Sequence, residues 1–536
     1  MLSHVPYITA PYEWPDLMNQ SPGTSNIQPD IRPDFHLDPK SLRAAVLSAV
    51  DVMETHLSQI ENTPVKPHIE PGTVAEKFAE HAPDQPSDIA TLLKIFQNNL
   101  LPAVTLWQHP RFFAYYPAAT SIPAIVSELL MASLGSVGLQ WSANPAATEL
   151  ECVIMDWLLD LLQAPKESSF RHKSKQGGGI IQNTAGEALA AIMVAARVHS
   201  HLNAADKSAA AKNISIEDVY WQDSSSLVVY MSDQTHFSGP KAVRIAGMRL
   251  HKIPAQKLAD GNYGITASQV RQAMAEDRKK GLKPCAVQLN YGSTNTCGYD
   301  DLNSFRGFSE QEQVWLHVDA AYAGPALILP EFRERSLLMQ EISTSFNFNG
   351  SKWFLCGVDS AFLFIKDRQL LKRVFAADGD YMARSNAEQI YNPEFKDWSI
   401  PLGRRFRALR IWMVLSYFGR QGLQEFLRKG IDQADAARKK IDASGLLKQI
   451  AKTDLGLVCF RLASDDLNKN DLFIQRIEDL SDSGQKFLIY PSVIEGQKFL
   501  RLALGGIHTE TKDIDLFLDL CLKAAQDVEN GLVQKQ

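Results

Sequence analysis

The chain has 536 residues, with 55 lysines and arginines against 61 aspartates and glutamates, a formal net charge of −6. That mild acidity leaves no electrostatic footprint for nucleic acid or an anionic membrane, and 45% apolar with 22% charged residues is an ordinary globular composition that argues against wholesale disorder. With 31 glycines and 26 prolines the chain is neither fibrous nor low-complexity, and its length suggests about three domains.

Residues 1–39 contain seven prolines and little periodicity, which predicts an extended arm. The first residues lack the basic and apolar regions of a secretory leader. The longest purely apolar run, 188–196, is far shorter than the roughly 20 residues of a membrane span. Six scattered cysteines without a CxxC pair point to neither a disulfide framework nor a zinc site. A cytoplasmic protein with no metal and no membrane or nucleic-acid partner is therefore expected. Over 41–61, Leu42, Ala45, Val46, Ala49, Val50, Met53, Leu57 and Ile60 recur at spacings of three and four and predict an amphipathic helix. A second helix is predicted over 88–100, so that 40–120 forms a helical N-terminal domain.

From 121 to 396 helical patterns alternate with short apolar strands at 227–231, 286–289, 315–318 and 361–365. Continuous apolar strands spaced by helices predict a mostly parallel sheet covered on both faces, an α/β domain. Residues 397–536 mix helices with strands at 457–460 and 499–503, which predicts a small α+β C-terminal domain.

Five segments of the middle domain carry chemistry. Thr184-Ala185-Gly186-Glu187 opens a helix after a glycine run; Thr184 and Glu187 fit a capping box, and a helix N-terminus can take an anion, although the same residues also make an ordinary capped helix. His236 follows the strand at 227–231, at the end where α/β sheets bind ligands; it could stack on a flat ligand, or be a plain loop histidine. Thr294 lies in a small, hydroxyl-rich turn after another strand. Asp319 ends an apolar strand, where an acid is costly without a partner, and the small Ala321 beside it leaves room for a planar ring. Downstream, Lys352 follows the apolar run 346–348, as a lysine suited to forming a Schiff base does.

Together with residues 109–117, 140–146, 317–324 and 400–407, these segments resemble the group II pyridoxal-phosphate-dependent amino acid decarboxylases, in their aromatic-amino-acid and animal histidine branches. The resemblance runs from about 40 to 530 and leaves the arm outside. It implies a PLP-dependent transferase-like fold of type I, with a seven-stranded, mostly parallel sheet, and an obligate homodimer with active sites at its interface. By this resemblance Lys352 would hold the cofactor covalently, Asp319 would pair with the protonated ring nitrogen, and His236 and Ala321 would face opposite sides of the ring. Thr184, Ala185 and Asn349 match positions that hold the phosphate, Ser351 stands next to the lysine, and Thr294 matches a position near the substrate carboxylate. Tyr381, in a polar loop, would protonate the substrate's Cα. The substrate would lie against Trp107, Tyr115, Tyr116 and Pro117, with Val137 and Leu139 supplied by the partner chain.

Some positions depart from the aromatic pattern: Gly186 replaces a serine, Ser351 a histidine and Leu139 a phenylalanine, and Ile390 falls where Gly or Ser is usual. Ser351 and the run Tyr116-Pro117-Ala118 lean toward the histidine enzymes, and Asn347 leans toward the aromatic ones. The expected activity is decarboxylation of an aromatic L-amino acid to its amine. The alternatives are histidine decarboxylation, an aromatic aldehyde synthase, or a catalytically inactive regulatory relative. Retention of Tyr381 and His236 argues against the synthase, and retention of Lys352 and Asp319 against the inactive relative.

Overall fold

The computed structural model describes residues 35–206, 218–219, 221–376, 390–484 and 486–532. The predicted arm up to residue 34, and Tyr381, lie outside the described residues. The chain divides into two compact units, one of residues 1–58 and 69–104 and the other of 59–68 and 105–536.

In the first unit, α1 (Pro39–Gln59) starts with proline in its first turn, where a missing N–H costs nothing. The Asp38 carboxylate caps it by accepting from the Ser41 N–H and hydroxyl, both at 2.8 Å. The predicted apolar stripe is present, but Leu42, Val50, Met53 and Leu57 are exposed. Asp88 caps α2 (Ile89–Ile95), which runs on into a π turn over Phe96–Leu100.

The second unit is built on a seven-stranded sheet. Its strands are β1 (Gly178–Gln182), β2 (Leu227–Ser232), β3 (Arg249–Ile253), β4 (Lys283–Asn290), β5 (Trp315–Asp319), β6 (Ser345–Asn349) and β7 (Ala361–Ile365). They lie in the order β1-β7-β6-β5-β4-β2-β3, and all neighbouring pairs are parallel except those made by β7. Both faces are covered, so the central strands are largely apolar, and in β2 Val228 and Tyr230 pack into one core, Leu227, Val229 and Met231 into the other. The helices that matter for the site are α3 (Ile122–Leu134), α4 (Pro145–Leu161), α5 (Ala185–Asp206) and α6 (Ser238–Ile245). A long helical run, α7 (Arg407–Ser444), is interrupted at Gly419 and leads to an antiparallel sheet of β8 (Leu447–Ala451), β9 (Leu457–Leu462), β10 (Pro491–Ile494) and β11 (Gln497–Ala503). The helices α8 (Leu467–Gly484) and α9 (Thr511–Glu529) pack with this sheet around a third core. Among the described residues no helix is long and apolar enough to cross a membrane.

The predicted strands all form. Two strands of the large sheet were not predicted, nor were β8 and β10 of the small one. β3 is an edge strand whose Arg249 and Lys252 are exposed, so it shows no apolar run. β1 begins in the glycine run, which reads as a turn. Gly179 is needed there because a Cβ would lie 2.5 Å from the Met155 side chain and 2.8 Å from the Phe364 ring.

Candidate active site

The carboxyl ends of β1, β2, β4, β5 and β6 meet at a cavity of about 320 Å³. This is the edge of an α/β sheet at which ligands bind, because loops and helix N-termini converge there. Thr184, Ala185 and Gly186 line it from the start of α5, His236 from the turn after β2 and Thr294 from the turn after β4. Asp319 and Ala321 line it from the end of β5, Asn349 and Lys352 from the end of β6, and Tyr116 closes one wall. Residues separated by more than 200 positions in sequence are thus brought to one cavity, as their spacing at successive strand ends predicts.

The first turn of α5 is set by a modified cap. Thr184 Oγ1 accepts from the Glu187 N–H at 3.2 Å, as expected of a capping box, but the Glu187 carboxylate accepts from the Asn183 N–H at 3.0 Å instead of the Thr184 N–H. The free N–H groups of this turn and the helix dipole favour an anion. Gly186 is open: a Cβ there would find its nearest neighbours at 3.6 Å, an ordinary contact. Asn349 is buried with its Oδ1 lacking a hydrogen-bond partner among the described residues, so the amide can accept from a bound donor there or, turned over, present its N–H₂ to an anion.

Lys352 Nζ lies 5.4 Å from the centre of the Tyr116 ring. Burial holds its ammonium below the usual lysine range and the Arg501 charge adds to this, while Asp319 pulls the other way. Burial likewise holds His236 below the usual imidazole range, helped by the Lys352 charge and opposed by Asp319. His236 Nδ1 accepts from the Ser238 N–H at 3.3 Å and sits 2.7 Å from the Ser238 hydroxyl, which leaves its hydrogen on Nε2. Asp319 Oδ1 accepts from the Ala321 N–H at 3.1 Å and from Asn347 Nδ2 at 3.2 Å.

Tyr116 is buried, donates its hydroxyl to the Ser293 carbonyl at 3.0 Å and stacks on Tyr322 with ring centres 3.7 Å apart. Trp107, Tyr115, Pro117, Val137, Leu139 and Ser351 do not line the cavity of the single chain. Trp107 and Tyr115 stack on each other at 5.3 Å, are about half exposed, and Tyr115 holds a φ of 53°. Pro117 is buried, Val137 is exposed, and the Leu139 carbonyl accepts from the Lys396 N–H at 3.2 Å. Ser351 donates its N–H to the Ser360 carbonyl at 3.2 Å.

Arg501 was not among the candidates. From β11 its guanidinium donates to the carbonyls of Thr294, Asn295 and Tyr115 and lies 5.2 Å from the Tyr116 ring centre, so it fixes the turn after β4 and the aromatic wall. The signal was an arginine within the apolar run at 499–503, since a charge in a buried strand must have partners.

The cavity therefore offers an amine, a carboxylate, a neutral imidazole and an anion-binding helix turn, a donor set that fits an aldehyde, a basic ring nitrogen, a flat ring and a phosphate carried by one molecule. Residues 71–463 match the family model described as pyridoxal-dependent decarboxylase conserved domain. Aromatic-L-amino-acid decarboxylase of Mus musculus is 36% identical over 483 residues, covering 90% of this chain and 96% of that protein. Phenylacetaldehyde synthase of Petunia hybrida is 34% identical over 493 residues, covering 90% and 93%. Among solved structures, Oryza sativa TDC with PLP and tryptamine matches with a TM-score of 0.83 at 28% identity, over 92% of this chain and 99% of that one. Catharanthus roseus tryptophan decarboxylase in complex with L-tryptophan matches with a TM-score of 0.81 at 31% identity, over the same shares. Since the family match spans most of the chain and includes the whole wall of this cavity, the chain belongs to the pyridoxal-dependent decarboxylases, α/β carboxy-lyases that work with pyridoxal phosphate.

Proposed function

We propose that the chain removes the carboxylate of an aromatic L-amino acid, of the tyrosine, DOPA, tryptophan, 5-hydroxytryptophan or phenylalanine class, and releases carbon dioxide and the amine. The observation that carries the substrate class is the buried Tyr116 ring, an aromatic wall facing Lys352 across the cavity. Relatives named for aromatic-L-amino-acid and tryptophan decarboxylation support it. Pyridoxal phosphate, when bound, supplies a carbonyl for amines and an electron sink for the pair left when carbon dioxide departs.

The residues of the chain divide the remaining work. Lys352 anchors the cofactor, and its lowered ammonium range favours the neutral, nucleophilic amine. The Asp319 carboxylate holds a proton at the ring nitrogen, since an opposite charge nearby favours the charged form by about 1–3 pKa units. His236 covers one face of the ring as a neutral imidazole, and Ala321 is small enough to leave the other face free. Thr184, Ala185 and Asn349, with Ser351 beside the lysine, hold the phosphate at the first turn of α5, and Thr294 faces the substrate carboxylate. Trp107, Tyr115, Tyr116 and Pro117, with Val137 and Leu139 of the partner subunit, enclose the side chain of the substrate. Tyr381 delivers a proton to Cα and completes the amine.

This site belongs to a homodimer. The support is an uncovered apolar face on α3, where Ile122, Val126, Leu129, Leu130 and Leu134 are all exposed just before Val137. Residues 40–120 serve as a helical N-terminal domain, 121–396 as the cofactor domain and 397–536 as the small C-terminal domain. The six cysteines, all free and buried, suit a reducing cytoplasm.

Two observations favour neighbouring activities on the same scaffold: Ser351 favours histidine as substrate, and the 34% identity to phenylacetaldehyde synthase favours oxidative release of an aldehyde. Product analysis of the loaded enzyme over tyrosine, DOPA, tryptophan, 5-hydroxytryptophan, phenylalanine and histidine decides among them. Amine from an aromatic substrate at the highest kcat/KM is expected; histamine as the main product would replace the aromatic reading.

A further inference from the structure

A directed chain of hydrogen bonds runs through the sheet to Asp319. Trp315, His317 and Asp319 alternate along β5, Ser345 and Asn347 along β6, and His317 pairs with Ser345 and Asp319 with Asn347 in the parallel register. Trp315 Nε1 donates to Ser345 Oγ at 2.8 Å. Ser345 Oγ lies 2.8 Å from His317 Nδ1, and His317 Nε2 lies 2.8 Å from Asn347 Oδ1. Asn347 Nδ2 then donates to Asp319 Oδ1 at 3.2 Å.

The donors and acceptors at each link constrain where the hydrogens lie. The indole is a donor only, so Ser345 accepts from it and has its own hydrogen to give to His317 Nδ1. Asn347 turns its amide N–H₂ to the carboxylate, so its Oδ1 faces the imidazole and His317 Nε2 must carry the hydrogen. His317 therefore carries a hydrogen on Nε2 and is fully buried; burial, which favours the neutral form, keeps its imidazole below the usual range against the pull of Asp319. Trp315, Ser345 and Asn347 are also buried, so each link is made without competition from water. The chain ends on Oδ1 of Asp319, which also accepts the Ala321 N–H. Among the described residues both hydrogen bonds to this carboxylate fall on Oδ1, which leaves Oδ2 for the cavity that Asp319 lines.

We propose that His317 and Asn347 are positioning residues, which lock the Asp319 carboxylate in the rotamer that keeps one oxygen in the sheet and presents the other to the cofactor ring nitrogen. This rests on the pairing of Asp319 with that nitrogen. Neither residue touches the cofactor; both act through the carboxylate, as outer-shell groups orient ligands in other sites.

The test is the dissociation constant of pyridoxal phosphate for the full-length protein, read from the visible band of the bound cofactor, with the melting temperature of each variant measured alongside. Asn347→Ser removes the donor to Asp319 and is expected to weaken binding roughly 10- to 150-fold, the range of one buried hydrogen bond to a charged group. His317→Phe is expected to do the same through Asn347, and the double variant to lose little more than the worse single one, as links of one chain do. His317→Gln keeps a donor near Nε2 and is expected to restore most of the affinity. A merely structural histidine would be replaced better by Phe, which fills the volume, than by Gln. Asn347→Ser carries the comparison alone if His317→Phe does not fold. Unchanged affinity in Asn347→Ser, with Asp319→Ala still weakened, would overturn the positioning role and leave the Asp319 pairing intact. Unchanged affinity in Asp319→Ala would overturn both.

Discussion

Lys352 and Asp319 lie at the ends of neighbouring strands, and the first effect of their burial is electrostatic: the lysine is pushed toward its neutral form while the acid pulls it back. Replacing Asp319 with Asn removes the opposite charge from the ring nitrogen, so kcat of the loaded enzyme is expected to fall roughly 10- to 1,000-fold, the equivalent of one to three pKa units. Gly186 has room for a side chain at the anion-binding turn, so Gly186→Ser adds a hydroxyl without strain. It is expected to tighten pyridoxal phosphate binding about 2- to 12-fold, one neutral hydrogen bond, as read by cofactor titration. Tyr381→Phe is expected to move the product from amine toward aldehyde, and clean amine from that variant would remove Tyr381 as the proton donor. The acid and the lysine were legible in the sequence because a charge at the end of an apolar run has few structural uses. Arg501 was not, because its partners are backbone carbonyls about 200 and 390 positions away, which no local pattern records.

Among the elements, the central strands were legible for a physical reason: a sheet covered on both faces buries every residue of a strand and so favours apolar runs, as in β7. β3 escaped because an edge strand exposes its side chains, and β1 because close packing against Met155 and Phe364 demands glycine. The polar chain from Trp315 to Asp319 was hidden for a related reason. His317 reads as one polar residue in an apolar strand until β6 is set beside it in register. The exposed face of α3 carries its own test. Leu129→Glu combined with Leu130→Glu places two charges on that face, where they cost little in the single chain because both positions are exposed. The pair is expected to convert a dimer to a monomer by light scattering with unchanged far-UV circular dichroism, and to abolish activity if Val137 and Leu139 complete the partner's site. A dimer that persists would remove α3 from the interface.

Over the whole molecule, buried histidines set the response to acid. Burial pushes His109 and His172 down to about 4, and His236 and His317 below their usual range. In the unfolded chain these groups bind protons near pH 6.5, so unfolding takes up protons as the pH falls. Their contribution is fully present above pH 6.5 and is lost as the pH falls toward 4. Asp300, buried and pushed up to about 7, works in the opposite direction, as do Asp156, Glu394 and Glu478, which burial also raises, but the four histidines take up their protons in the unfolded chain within the window from pH 7 to pH 5. The melting temperature by calorimetry is therefore expected to fall between pH 7 and pH 5; a rise over that range would mean that the carboxyl groups dominate. The mild net charge of −6 suits a protein whose ligands are a small cofactor and a small amino acid. The most direct measurement of the central claim is the stoichiometry of a single turnover sample: carbon dioxide, amine and hydrogen peroxide from the loaded full-length enzyme supplied with its best aromatic L-amino acid. Equal carbon dioxide and amine with no peroxide is the predicted result, and peroxide equal to carbon dioxide, or no carbon dioxide at all, would contradict it.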